Sequence, residues 1–228
     1  MSKEKKEKAK DTIAVINLEG VIDGRNSKKS ITYENVCDKL EILEEMKNLK
    51  GLVLRINSPG GSALVSEKIY KKLKKLTVPI YVSMGDLCAS GGYYIATTGQ
   101  KLFANNLTLT GSIGVVMMYP EVVETLKKLD VNLEGFEKGT GFDMLNPFDK
   151  LGEDSKEKII YNMNEVYTEF KEHVMKARGM NDEELEKIAQ GRVWLGSEAR
   201  NINLVDEIGS LEECIKSMAD DLKLDKYK

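Results

Sequence analysis

The chain has 228 residues, enough to bury one sizeable core. Its 34 basic and 37 acidic side chains leave a net charge of −3 and a pI near 5.5, which offers no general attraction for phosphate backbones and excludes nucleic acid as an expected partner. Cys37, Cys88 and Cys214 are widely spaced with no Cys-x-x-Cys pair, so neither a disulfide framework nor a zinc cage is indicated, and they read as buried free thiols.

Residues 1–11 are nearly all charged and read as a disordered tail, with 12–228 forming a single domain. Thr12 to Leu18 is β-branched and apolar, a first buried strand. Between Tyr33 and Leu49, Val36, Leu40, Leu43 and Met46 fall at spacings of three and four, the stripe of an amphipathic helix. Gly51 to Ile56 predicts a strand, Ser66 to Leu76 a helix and Pro79 to Met84 another strand. A helix starting near Ser90 runs to Thr98, followed by strands at Leu102–Ala104 and Ile113–Met118. A helix is expected over Glu121–Leu129 and a strand over Val131–Glu137. Long helical periodicity covers Ser155–Arg178, through Ile159, Ile160, Met163, Val166, Tyr167 and Phe170, and shorter helices are expected at Asp182–Ala189 and up to Leu222. Alternating strands and helices imply right-handed crossovers and a largely parallel, covered sheet, an α/β fold. With no apolar run near ~18 residues and no charged-then-apolar leader, the sequence as given reads as soluble.

Two stretches carry chemistry. Asn57-Ser58-Pro59-Gly60-Gly61 follows a buried strand directly, placing a Pro-Gly-Gly turn at the carboxyl end of the sheet, where α/β proteins place ligands. Such a turn can expose a backbone N–H to developing negative charge, although most Pro-Gly-Gly sequences are turns and nothing more. Ala89-Ser90-Gly91-Gly92-Tyr93-Tyr94 opens a helix after a strand. Ser90 there is either an N-cap or a nucleophile with unpaired N–H groups beside it. The single histidine, His173, lies among Lys171, Glu172 and Lys176 and reads as a solvated helix-face residue. A Ser-His-Asp triad is therefore not expected, and a desolvated lysine is the alternative base.

In order along the chain, Leu54-Arg55-Ile56-Asn57-Ser58-Pro59-Gly60-Gly61, Ala89-Ser90-Gly91-Gly92-Tyr93-Tyr94-Ile95-Ala96, Leu109-Thr110-Gly111-Ser112-Ile113-Gly114-Val115, Gly191-Arg192-Val193-Trp194 and Leu204-Val205-Asp206 resemble the motifs of the signal peptide peptidase A family. The resemblance runs from about Ile13 to Ile215. It implies a Clp-protease/crotonase-like fold and a Ser-Lys peptidase acting on residual signal peptides and short apolar peptides, without cofactor or metal, as a homo-oligomer. It implies Ser90 as the acylated nucleophile, the N–H groups of Gly61 and Gly91 as the oxyanion hole, and Ser112 as the hydroxyl that orients the base. Family members commonly carry an amino-terminal membrane anchor, so membrane association is expected only if an anchor precedes the residues given.

The family's base lies in a stretch reading approximately Lys-Ser-Gly-x-x-Lys-Asp-Met-x-x-Pro. Glu137 to Pro147 aligns with it without a gap, and the second lysine falls on Phe142. A phenyl ring accepts no proton, and every identical subunit of an oligomer carries the same residue. Three readings stay open: an impaired member that binds peptides or scaffolds an oligomer, Lys138 as a substitute base, or an otherwise complete enzyme in which Phe142 is a changed residue. Acyl-thioester chemistry, which crotonases perform on the same fold, is a weaker alternative, because no basic phosphate site is evident.

Overall fold

The computed structural model describes residues 10–24, 30–139 and 141–228. In chain order its elements are β1 (Thr12–Glu19), β2 (Val21–Ile22), β3 (Ser30–Ile31), α1 (Tyr33–Glu44), β4 (Leu49–Ser58), α2 (Ala63–Leu73), β5 (Ile80–Ala89), α3 (Gly91–Ala96), β6 (Lys101–Ala104) and β7 (Leu109–Gly111). There follow α4 (Val123–Lys128), a 3-10 turn (Phe142–Leu145), α5 (Glu153–Arg178), α6 (Asp182–Glu186), β8 (Val193–Leu195), α7 (Gly196–Asn201), β9 (Glu207–Ile208) and α8 (Leu211–Asp221). These form two compact units, Met1–Gly114 with Phe170–Lys228, and Val115–Glu169. The expected disordered tail falls mostly on residues 1–9, outside the described ones; Asp11 bridges Tyr227.

The first unit holds a seven-stranded sheet, parallel along its main path β1-β4-β5-β6-β9, with β7 and β8 off that path. β4 lies between two neighbours, and Leu52, Val53, Leu54 and Ile56 are fully buried, as the continuous apolar run requires of a strand covered on both faces. Each such side chain contributes about 1.5–3 kcal/mol by leaving water. α1 starts where the Thr32 hydroxyl accepts the Asn35 N–H (3.1 Å) and buries Val36, Leu40 and Leu43. It ends at Glu44, so Met46, expected on its stripe, lies beyond the helix and is exposed. On the sheet's other face α8 packs Cys214, Met218 and Ala219 against Ile13, Val53, Tyr81 and Phe103.

The middle of β5 changes partner. Tyr81–Ser83 pair with β6, whereas Leu87–Ala89 pair with β7, which in turn runs antiparallel to β8. The strand predicted over Ile113–Met118 is not formed. Gly111 and Ser112, at φ 82° and 50°, turn the chain out of the sheet, so the strand is the preceding triplet Leu109–Gly111.

Cys88 and Cys214 are buried and Cys37 is half-buried. Burial pushes the Cys88 thiol far above its usual range and the Cys214 thiol up to about 12, so neither forms the reactive thiolate at neutral pH. A thiol reagent at pH 8 is expected to modify Cys37 alone in the native protein and all three after unfolding; native modification of Cys88 at the Cys37 rate would refute this packing.

In the second unit, α4 and the first part of α5 flank a long irregular stretch. Val131–Glu137, predicted as a strand, is exposed coil. Its apolar alternation meets no neighbouring strand among the described residues, and a strand without a partner leaves its backbone groups to water. Several apolar side chains here stay open, among them Phe136 (97% exposed), Met118 (88%) and Val116 (85%).

Candidate active site

The carboxyl ends of β4 and β5 deliver two turns to one place. After Ser58 the chain enters Pro59-Gly60-Gly61, where Gly60 has φ 95°, a backbone open to glycine at little cost. The Ser58 hydroxyl accepts the Gly60 N–H (3.1 Å), and Ser62 caps α2 by accepting the Val65 N–H (3.3 Å). β2 holds the turn from outside: the Ile22 N–H donates to the Gly60 carbonyl and the Ser62 N–H to the Ile22 carbonyl, both at 2.8 Å. These bonds use the residues on either side of Gly61, so its own N–H faces away from β2.

After β5 the second turn is Ser90 itself, at φ 52° and ψ −124° between strand and helix. For a residue with a Cβ this conformation costs on the order of 1–3 kcal/mol, and such strain concentrates at functional sites. It also resembles the strained strand-to-helix elbow that exposes nucleophilic serines in other hydrolases. The hydroxyl makes no cap hydrogen bond to α3, which removes the N-cap role as the reason for a serine. Ser90 is half-buried, neither in the core nor free in solvent. Its N–H donates to the Gly111 carbonyl (2.9 Å), and its carbonyl accepts the Tyr94 N–H (2.9 Å).

The two turns touch. A Cβ built on Gly60 would stand 2.7 Å from the Gly91 nitrogen and 2.8 Å from the Ser90 Cβ. One built on Gly91 would stand 2.4 Å from the Ser66 Oγ, a hydroxyl that donates to the Ser62 carbonyl at 2.9 Å. Glycine is thus required at both positions by close approach. Gly91 opens α3, and no turn of its own helix can satisfy its N–H. Ser112 lies on the neighbouring segment, with left-handed backbone and its N–H on the Arg192 carbonyl (2.7 Å). The structure therefore brings Ser90, Gly91, Gly61 and Ser112 into one corner of the first unit.

The remaining candidates, Lys138 and Phe142, lie in the second unit. Lys138 is exposed on the irregular stretch, and Phe142 is 53% exposed at the start of the 3-10 turn. The loop after Phe142 is well anchored within its own unit. The Asp143 carboxylate accepts the Ser155 hydroxyl and the Gly152 N–H, both at 2.6 Å, and these bonds, Ser155 first, hold its carboxyl below the usual range. The Tyr119 hydroxyl reaches the carbonyls of Asp143 (2.6 Å) and Asn146 (2.5 Å).

His173 corrects the sequence reading. Its ring stacks on Tyr70 at 4.5 Å and meets the edge of Tyr94 at 4.9 Å, half-buried among aromatics and not a solvated surface residue. The charged neighbours lie on other faces of α5, whereas Phe170, His173 and Val174 share the buried one. Sequence reasoning also gave no role to Tyr93 and Arg178. Tyr93 is fully buried on α3 and donates to the Leu204 carbonyl (2.7 Å); burial pushes its phenol well above the ordinary range. Arg178 forks onto both carboxylate oxygens of Asp206 (2.9 and 2.8 Å), and Asp206 also accepts the Leu102 N–H (2.8 Å). The Leu204-Val205-Asp206 motif is thus an anchor for α3 and β6. Among the described residues no His, Cys, Asp and Glu group is arranged to hold a metal ion.

Known proteins resemble this chain in family and in fold. The family profile described as Peptidase family S49 matches residues 72–225, and that of Clp protease matches residues 4–110. "Protease 4" of Haemophilus influenzae is 37% identical over 89% of the chain, "Putative signal peptide peptidase SppA" of Enterococcus faecium 35% over 87%, and "Serine protease SPPA, chloroplastic" of Arabidopsis thaliana 34% over 90%. The chain spans 34%, 58% and 32% of these relatives' own lengths. Among solved structures, a ClpP1 mutant from Listeria monocytogenes superposes with a TM-score of 0.60 at 17% identity, covering 88% of this chain and 94% of that one. A mutant of the membrane-bound stomatin-specific protease 1510-N gives 0.58 at 15% identity, covering 91% and 84%. At these identities the likeness is one of fold, and that fold is the Clp-protease-like α/β architecture.

Proposed function

The chain belongs to peptidase family S49, and from that premise we propose that it is a serine peptidase that attacks short, largely apolar peptides through an acyl-enzyme on Ser90. The observation that carries the proposal is the contact between the two turns: a strained, uncapped serine stands beside Gly60-Gly61. In this reading the Ser90 hydroxyl adds to the scissile carbonyl while the N–H groups of Gly61 and Gly91 receive the developing oxyanion. Donors fixed before the reaction stabilise that charge without reorganising, an effect of about 10²–10³ in rate for a single donor. Ser112 is assigned the orientation of the base.

A second reading has its own observation. Phe142 stands where the family base is expected, which favours a peptide-binding or scaffolding member without efficient turnover. Both readings are compatible with a homo-oligomer. Self-association would have the open apolar side chains of the second unit, including Phe136 and Met118, available to cover. Signal peptides are the substrate class that the name of the Enterococcus faecium relative suggests. Among the described residues no helix is long and apolar enough to cross a membrane.

The test is a fluorophosphonate probe, which reports an activated serine hydroxyl without needing a known substrate. Labelling at Ser90, lost in Ser90→Ala, is the expected result. Labelling that survives Ser90→Ala would reject Ser90 as the nucleophile, and no labelling with retained peptide binding would favour the second reading.

A further inference from the structure

The contact between the two turns depends on an irregularity in the sheet. β4 and β5 pair one for one from Leu52↔Ile80 to Ile56↔Met84, and the next pair is Ser58↔Cys88. Over that interval β4 advances by two residues and β5 by four. Two extra residues of β5 are therefore absorbed in a bulge around Gly85, Asp86 and Leu87. At about 3.3 Å of rise per residue, paired extension would have carried Ser90 roughly 7 Å farther along the strand, past the Gly60-Gly61 turn. The bulge brings it back level.

Asn57 sits opposite this bulge and fills it. Its side chain covers Gly85 so closely that a Cβ there would lie 2.7 Å from the Asn57 Cβ and 2.9 Å from its Oδ1. The same Oδ1 accepts the Leu87 N–H at 3.1 Å. The Gly85 carbonyl is taken by the Thr108 hydroxyl at 2.8 Å, so two side chains satisfy backbone groups that the bulge removes from the ladder. The Asn57 carbonyl also accepts the Gly20 N–H at 2.9 Å, fixing the same residue to the end of β1. One carboxamide thereby joins the strand that leads to Gly60 with the strand that leads to Ser90.

We propose that Asn57 is a positioning residue that sets the spacing between the Ser90 hydroxyl and the Gly60-Gly61 turn. Its catalytic consequence rests on the reading of Ser90 as nucleophile; its geometric content does not. Leucine at 57 has the same branched shape, with somewhat more bulk, but no acceptor for the Leu87 N–H. Aspartate keeps an oxygen in the same place. Gly85→Ala presses on the carboxamide from the opposite side.

The experiment combines crystal structures of Asn57→Leu, Asn57→Asp and Gly85→Ala with the rate of fluorophosphonate labelling of each. Asn57→Leu and Gly85→Ala are expected to shift Gly60 against Gly91 by about 1 Å and to slow labelling about tenfold to a hundredfold, the range that such misplacement produces. Asn57→Asp is expected to keep the spacing and to label within about threefold of the parent, since the positioning bond survives. Leucine at 57 with the turns unmoved and labelling unchanged would overturn the proposal, as would aspartate behaving like leucine. If parent and Ser90→Ala alike fail to label, the nucleophile reading falls, and the spacing in the crystal structures decides the role of Asn57 alone.

Discussion

Phe142→Lys is expected to raise the hydrolysis of short apolar peptides by about 10²–10⁴-fold, the range that a positioned general base contributes. A serine hydroxyl is a weak nucleophile at neutral pH, and removing its proton as it attacks is what the missing group would do. Within its own unit the surrounding loop is already fixed: Asp143 is bonded to Ser155 and Gly152, and Tyr119 reaches the Asp143 and Asn146 carbonyls. A lysine at 142 therefore starts from an anchored backbone. Its signature is a pH profile as well as a rate. Only the neutral amine accepts a proton, so activity should climb with pH through the introduced lysine's own pKa, whereas the parent should lack that limb. No gain in hydrolysis, with labelling of Ser90 intact, would reject position 142 as the place of the base.

Asp206→Asn is expected to cost about 3 kcal/mol of stability, read as a fall in the urea midpoint, because it leaves the Arg178 guanidinium buried without a counter-charge. The Arg178 side chain is 4% exposed and that of Asp206 30%. Burial is the largest single influence and opposes the arginine's charge, but the Asp206 hydrogen bonds together with the Coulombic pull of Tyr93 and Asp206 outweigh it and raise the guanidinium pKa above its ordinary value. With total stabilities of about 5–15 kcal/mol, such a loss is severe. The double variant Arg178→Met with Asp206→Leu should lose less than Asp206→Asn, since no charge is then stranded. A loss below about 1 kcal/mol would mean that the pair behaves as a surface bridge.

These residues show where sequence is a good guide. β4 and α1 were legible because burial on both faces writes a continuous apolar run and burial on one helix face writes a spacing of three and four; β1, an edge strand with Val15 40% exposed, was legible from its β-branched residues. The turn residues around Ser90 and Gly60 were legible because few residue types fit there. The bulge in β5 was not, since Gly85-Asp86 reads as a strand end and the partners that carry the strand on to Ala89, Asn57, Thr108 and β7, lie some twenty to thirty positions away in sequence. Ile113–Met118 and Val131–Glu137 have strand-like composition, but composition does not report whether a neighbour is present. His173 was misread from its charged neighbours, although its spacing from Phe170 and its adjacency to Val174 placed it on the buried face. The element that would carry the base lies in the second unit, and its role rests on alignment with the family motif.

Cys88 lies two residues ahead of Ser90, level with Ser58, and is wholly enclosed. Its sulfur can meet a reagent in solution only when the packing around the end of β5 opens. The native-state reactivity of that one atom is therefore a clock for how often this corner of the sheet breathes, and peptides that occupy the corner should slow it.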